Sequence, residues 1–364
     1  MRGKNRGWLV FFAAAALGAC GQQRPMSVGS EGKGVDGLGR VDDIPANGAD
    51  FRPSTCSAPP PPAGLKVLLP QDEQPHREVI EWWYWTGHLV DDDGHEYGFE
   101  HVIFLAGKGG VWLQEAHHAV TDVRAGTFQR KIDVRAGYPT VVPGGYSFAV
   151  GKSTVAGANG HDVLHGQVDG YTLDLTADSL KPTVYQHEIG YTDYSFGGYT
   201  YYYSRERLGL RGTLVKDGVQ KAVRGLGWFD HQWGNLSLSA LKGWNWFAMI
   251  LDDNREIMVF DMRVATPASE TIGSYTDADC ATEALRPEDV TVSSFDTWTS
   301  PHTLCTYPSG WDVVVKGMYL HLTPVVDDQE VIELVLPTYW EGKVAITGDA
   351  TGEGYVELNG YCFL

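Results

Sequence analysis

The chain has 364 residues, 12 % of them aromatic, and sets 46 acidic against 28 basic side chains for a formal net charge of −18. A nucleic-acid-binding surface shows a basic footprint, so this balance argues against that class. Beyond the N-terminal region about 300 residues remain, enough for a sizeable core and two domains.

Arg2, Lys4 and Arg6 precede an apolar run from Trp8 to Leu17, and "LGAC" occupies residues 17–20. A basic start followed by about ten apolar residues, half the ~20 that span a bilayer, reads as an export signal. Small residues before Cys20 form a bacterial lipobox, which predicts a signal peptide over 1–19 and lipidation of Cys20. Acyl chains contribute about 0.8 kcal/mol per buried CH₂, so several of them anchor a protein stably. Gly21 in place of an aspartate favours the outer membrane. The expected product is a monomeric envelope lipoprotein facing the periplasm or the cell surface. Residues 20–64 are rich in Gly, Ser, Asp and Pro and end in "APPPPAG". They predict a flexible tether with a stiff end.

Cys56, Cys280, Cys305 and Cys362 remain for disulfides in an oxidising compartment. Three pairings are open. Closure of a short loop favours Cys280–Cys305, leaving Cys56–Cys362 to tie the tether to the C-terminus. No CxxC or HExxH spacing points to a metal site, and no cofactor is expected.

From residue 65 onward, short segments rich in Val, Tyr, Trp, Thr and Phe alternate with "DDDG", "VPGG", "GANG", "KDG" and "LDDN". These are strand and hairpin signals, and they predict an all-β fold of sandwich or barrel type. "VIEWWYWTGHLV" and "HEYGFEHVIFL" form the first predicted hairpin. The folded part is expected to divide into domains 65–225 and 226–364.

Strand alternation sorts the aromatic segments into faces. In "EWWYWTGH", Trp82, Tyr84 and Thr86 share one face, and Glu81, Trp83 and Trp85 share the other. Both faces are aromatic, so both must be covered, one by core and one by a ligand space. Glu81 amid these rings must be paired, protonated or open to a wet cavity. In "EYGFEHVIF", Glu100 and His101 are candidates for a polar rim, as are His117 and His118, beside a plainer hydrogen-bonded role. "YTYYYSRER" aligns Tyr199, Tyr201 and Tyr203, while Arg205 and Arg207 are expected in ion pairs.

"GLGWFDHQWGN", residues 225–235, points Trp228, Asp230 and Gln232 one way and Phe229, His231 and Trp233 the other. Asp230 and His231 therefore diverge, and Asp230 is expected to serve a tight turn toward Gly234. His231 beside Trp233 joins a group that titrates near neutrality to a π surface. In "REIMVFDMRV", Ile257, Val259, Asp261 and Arg263 share a face. That face holds either an internal salt bridge or an Asp261 desolvated enough to keep a proton. No GxSxG sits in a strand–turn–helix setting, which argues against a serine hydrolase.

Together, "PHREVIEWWYWTGHLVDDDGHEYGFEHVIF", "YTYYYSRERLGLRGTL", "GLGWFDHQWGN" and "GYVELNGY" resemble the AttH/carotenoid 1,2-hydratase family, over about residues 65–362. The resemblance implies two lipocalin-like β-barrel domains packed together, with a ligand cleft at or near their junction. It also implies, from the family's hydratases, addition of water across an isoprenoid double bond. The family's pattern of His and Trp upstream and Asp downstream falls on His231, Trp233 and Asp261. The tyrosine that accompanies this Asp in the carotenoid enzymes is missing, and Val259 and Phe260 precede Asp261 instead. On this reading Asp261 donates a proton and His231 positions water. Trp82, Trp83, Tyr84, Tyr201, Tyr203, Trp233 and Trp246, with Glu81 and His101, would hold an apolar isoprenoid- or polyene-like ligand. A non-catalytic hydrophobe carrier and an envelope assembly protein are the rival readings.

Overall fold

The computed structural model describes residues 56, 59–237, 240–264, 270–332 and 337–362. The expected signal peptide, Cys20 and most of the tether lie outside the described residues. A first group of strands comprises β1 (Ile80–Asp91), β2 (Glu96–Lys108), β3 (Val111–Asp122), β4 (Thr127–Ala136), β5 (Tyr146–Val150), β6 (Ser153–Ala158), β7 (His161–Val168), β8 (Tyr171–Ser179), β9 (Val184–Tyr185), β10 (Tyr191–Asp193), β11 (Gly198–Lys216) and β12 (Val219–Leu236). The second comprises β13 (Leu241–Leu251), β14 (Glu256–Val264), β15 (Glu270–Thr276), β16 (Thr282–Leu285), β17 (Val290–Ser294), β18 (Thr297–Thr299), β19 (Thr306–Pro308), β20 (Trp311–Val315), β21 (Met318–Pro324), β22 (Glu330–Val331), β23 (Tyr339–Gly348) and β24 (Gly352–Asn359).

The first sheet runs β4-β3-β2-β1-β12-β11-β8-β7-β6-β5, every neighbouring pair antiparallel. Its two ends meet through side chains: Arg135 donates to the Ala149 carbonyl, and the Lys152 amide donates to Asp133, both at 2.9 Å. The second sheet runs β16-β15-β14-β13-β24-β23-β21-β20-β17. An ion pair joins Glu283 of β16, at one end, to Lys316 in the turn between β20 and β21, near the other. Two nearly closed, lipocalin-like barrels result, the all-β architecture expected from the strand signals.

Each barrel has its own apolar interior, built from alternate residues of its strands. Trp83, Trp85, Phe99, Tyr203, Phe229 and Trp233 belong to the first, and Phe247, Ile257, Val259, Trp311 and Val356 to the second. A third cluster joins the outer faces of the two. There Tyr84, Val102, Tyr202 and Trp228 pack with Trp246, Ala248, Met258, Phe260 and Tyr355. The second aromatic face of "EWWYWTGH" is therefore covered by the neighbouring barrel.

Two expectations are corrected here. β12 pairs with β1 from Val223 to Gly234, so the first barrel continues to Leu236 and a boundary at 225/226 would cut a central strand. Glycine inside this strand marks close backbone approach. A Cβ on Gly225 would lie 1.7 Å from the His88 carbonyl oxygen. The disulfides are Cys56–Cys280 and Cys305–Cys362, with Cα separations of 6.0 and 5.2 Å, not the expected pairs. Cys280 sits at the β15–β16 turn, where the tether reaches it, whereas Cys305 and Cys362 belong to the interior of the second barrel. Sequence proximity was outweighed by which side of the sheet each thiol occupies.

Candidate functional site

Alternation divides the expected site residues between two places. Glu81, Trp83, His101, Tyr201, Tyr203, His231 and Trp233 turn toward the interior of the first barrel, while Trp82, Tyr84 and Trp246 face the junction.

In the first barrel, antiparallel register sets Glu81 opposite Trp233 and Trp83 opposite His231, and on the other side Tyr201 opposite Trp233 and Tyr203 opposite His231. His76, in the segment leading into β1, completes the group. Glu81 Oε1 lies 2.7 Å from His76 Nδ1 and 2.8 Å from His231 Nε2, while its Oε2 accepts the His76 backbone N–H at 2.7 Å. Trp233 stacks on His76 at 4.1 Å and on Tyr201 at 5.3 Å, and Trp83 stacks on His231 at 4.4 Å. Burial pushes Glu81 up to about 7 against the pull of His76. Burial would lower His76, but Asp72 and Glu81 more than offset it and hold the ring at about 9. Burial, with His76 and Arg205 nearby, keeps His231 well below the usual histidine range and thus neutral. Below this layer, Arg205 is paired with Glu73 at 2.5 Å, one of the ion pairs expected of "SRER".

The junction is more acidic than its aromatic lining suggests. Tyr84 donates to Glu341 Oε1 at 2.5 Å across the barrels, and Tyr339 donates to Glu100 Oε1 at 2.7 Å. His117 Nδ1 lies 2.7 Å from the Tyr339 hydroxyl, and its Nε2 lies 3.3 Å from Glu115. Trp244 donates its indole N–H to Glu357 Oε1 at 3.0 Å. Burial, then the neighbouring charges of Glu100 and Glu357, push Glu341 well above the carboxylate range. Burial and Glu100 push Glu357 up to about 8, against Trp244 and His117. Carboxyls that crowd in a poorly solvated space cannot all ionise, so some hold protons at neutral pH. Partly buried Trp82, Phe104 and Trp244 rim this layer, with Trp82 6.4 Å from Phe104 and Trp244 6.1 Å from Phe260. Chemically, the junction combines a π-rich wall with protonated carboxylic acids.

Asp230 is a scaffold, as its direction predicts, but at no turn, because β12 continues past it. It accepts from Tyr202 and Ser204 at 2.5 Å each and from Trp228 at 2.8 Å. Glu256 of β14 is held by Lys181 at 2.8 Å and by Arg207, so an ion triad crosses from one barrel to the other.

The expected partnership of His231 with Asp261 is not assembled. Asp261 follows Ile257 and Val259 on the interior face of the second barrel and accepts from Thr271 at 3.1 Å. Its neighbours Phe260 and Met262 take the junction face, and His231 lies inside the other barrel. Arg263 donates to the Asn359 carbonyl and lies 3.8 Å from the Tyr361 ring centroid rather than pairing with Asp261. His101 is also displaced from its expected rim: it is buried in the first barrel, edge-on to His118 at 4.9 Å, and burial holds it well below the usual range. Sequence reasoning passed over His76, Trp244, Glu341 and Glu357. A signal for the last existed, since "YVELN" alternates Tyr355, Glu357 and Asn359 on one face of a strand.

A profile of the AttH-like family matches residues 60–361. Among solved structures, an AttH protein from Nitrosomonas europaea is similar at 27 % identity and a TM-score of 0.76, over 83 % of this chain and 98 % of that one. Kievitone hydratase from Nectria haematococca is similar at 17 % identity and a TM-score of 0.69, over 83 % and 96 % of the two chains. CghA, solved with Sch210972, is similar at 13 % identity and a TM-score of 0.52, over 78 % and 89 %. At these identities the last two share the fold. No curated protein matches the chain in sequence. With a single profile spanning both barrels, the chain belongs to the AttH-like family.

Proposed function

We propose that the protein binds an apolar, unsaturated molecule of isoprenoid or polyene type at the junction of its barrels and adds water across a C=C bond. The observation that carries this reading is Glu357. The residue is partly exposed as a whole, and its carboxyl, which accepts a hydrogen bond from Trp244 at the aromatic rim, is held protonated by burial up to about pH 8. Protonating an alkene requires an acid that keeps its proton at neutral pH and a surface that tolerates the resulting cation. Aromatic faces stabilise a nearby cation by roughly 0.5–2 kcal/mol, and Trp82, Tyr84, Trp244 and Trp246 supply them.

In the proposed reaction the Glu357 proton passes to one alkene carbon and water oxygen bonds to the other. The surplus water proton passes to His117, backed by Glu115; His117 then releases it to solvent, and solvent returns one proton to Glu357. General acid catalysis contributes typically ~10²–10⁴-fold, so orientation of the chain in the junction supplies the remainder. A solved hydratase with this fold supports the reaction class. His231 and Asp261 take no part in this scheme.

Mass spectrometry of small molecules that co-purify with the protein tests the ligand class. A terpenoid or polyene supports the proposal, while phospholipid alone makes the protein a lipid carrier. We also propose, from "LGAC" at residues 17–20, that lipid on Cys20 holds the body at the outer membrane. An N-terminal peptide that starts at Cys20 and carries the mass of acyl chains supports this, and an unmodified Cys20 contradicts it.

A further inference from the structure

The group at the mouth of the first barrel is not used by the proposed reaction, yet its geometry is that of a ligand set. His76 Nδ1, His231 Nε2 and a carboxylate oxygen of Glu81 all lie within 4.8 Å of one another. Glu81 and His231 are 1 % and 0 % exposed, while His76 is partly open to solvent. We infer that His76, Glu81 and His231 bind one divalent first-row transition ion, with Zn²⁺ the ion their chemistry suits best.

Two imidazole nitrogens converge on the same carboxylate oxygen at 2.7 and 2.8 Å. Two N–H protons can occupy those gaps, and a single cation can take their place and engage all three ligand atoms together. The far side of each ligand is arranged for the second role. The Tyr203 hydroxyl lies 3.3 Å from His231 Nδ1, placed to accept its N–H and leave a lone pair on Nε2. Asp72 lies 3.6 Å from His76 Nε2, beyond hydrogen-bond distance, and its charge favours a proton on that far nitrogen. The second oxygen of Glu81 is fixed by the His76 amide at 2.7 Å. Outer partners of this kind are what set the tautomer and direction of metal-ligating histidines. Stacking on Trp233 and Trp83 holds both rings in place.

Two imidazoles and one carboxylate suit Zn²⁺ or Fe²⁺ and disfavour Mg²⁺ and Ca²⁺, which take mainly oxygen ligands. In a four-coordinate Zn²⁺ site the fourth position belongs to water, on the solvent-facing side of His76. The ligands come from residues 76, 81 and 231, so no short motif announces them. A second set, Cys305, Glu330 and Cys362, is excluded because its thiols form a disulfide.

The test uses the full, natively processed chain, stripped with a chelator and titrated with Zn²⁺ by calorimetry, then with Co²⁺ by visible absorption. One ion per chain is expected, with Co²⁺ giving the d–d bands of a four- or five-coordinate site. His76→Ala, at a partly exposed position, should leave the circular dichroism unchanged and weaken binding by at least ~100-fold. Tyr203→Phe should weaken it by roughly 10-fold, the effect of losing an outer partner. His76→Gln provides a second check should the alanine variant misfold. No stoichiometric binding overturns the inference and leaves a proton-bridged cluster. Binding with an unchanged affinity and spectrum in both His76 variants overturns it too, because the ion then sits elsewhere.

Discussion

Replacing Asp230 tests whether the middle of "GLGWFDHQWGN" is scaffold. Its two oxygens accept hydrogen bonds from Ser204, Trp228 and Tyr202, all buried. Each buried donor left without an acceptor costs about 1–3 kcal/mol, and three that share one acceptor are not additive. Asp230→Ala should therefore lower stability by about 4 kcal/mol at pH 7. Asp230→Asn should behave differently. Burial raises Asp230 from 3.8 to about 6 despite its three donors. The folded state thus binds more protons than the unfolded state between about pH 4 and 6, and this residue makes stability fall as pH rises through that window. At about 1.4 kcal/mol per pK unit, that loss is on the order of 3 kcal/mol at pH 7. Asparagine keeps an acceptor for Ser204 and Trp228 and has no charge to desolvate. It should cost no more than ~1 kcal/mol at pH 7 and flatten the stability profile between pH 4 and 6. Urea unfolding of the three proteins, followed by tryptophan fluorescence at several pH values, measures both effects. An Asp230→Ala variant within ~1 kcal/mol of the parent, or an Asp230→Asn variant with the parental pH slope, would refute this reasoning.

Glu256→Ala should strand Lys181 and Arg207 as buried cations and lower stability by roughly 3–5 kcal/mol, measured by denaturant unfolding. Serine at both Cys305 and Cys362 should cost about 4 kcal/mol, from the 57-residue separation that this disulfide closes, with the same readout. If Glu357 is the acid, kcat/KM should fall as pH rises through about 8, because the carboxyl loses its proton there. A profile that rises through pH 8 would assign the residue a base role.

The fold was legible because strand alternation and turn residues act locally. The same alternation correctly separated Trp82 and Tyr84 from Glu81 and Trp83, and Asp230 from His231. It could not say which face meets which space. The family resemblance sets Asp261 beside His231, although the two point into different barrels. His76 was missed because it precedes its strand and joins Glu81 and His231 only through sheet register. Glu357 and Glu341 act through neighbours on the opposite barrel, such as Glu100 and Tyr84, and only docking reveals that crowding. The disulfides were unreadable for a related reason, since the path of β15 and β16 around the barrel decides which thiols meet.

Addition of water to an apolar alkene at the junction through Glu357 is tested most directly with the parent and Glu357→Gln, each incubated with a panel of prenyl and polyene alcohols in ¹⁸O-labelled water, with product mass as the readout. One ¹⁸O-labelled hydroxyl is expected with the parent protein. With Glu357→Gln, product should be reduced by at least ~100-fold while ligand binding is retained. Equal labelling by both proteins, or binding without labelling by the parent, would contradict this reaction.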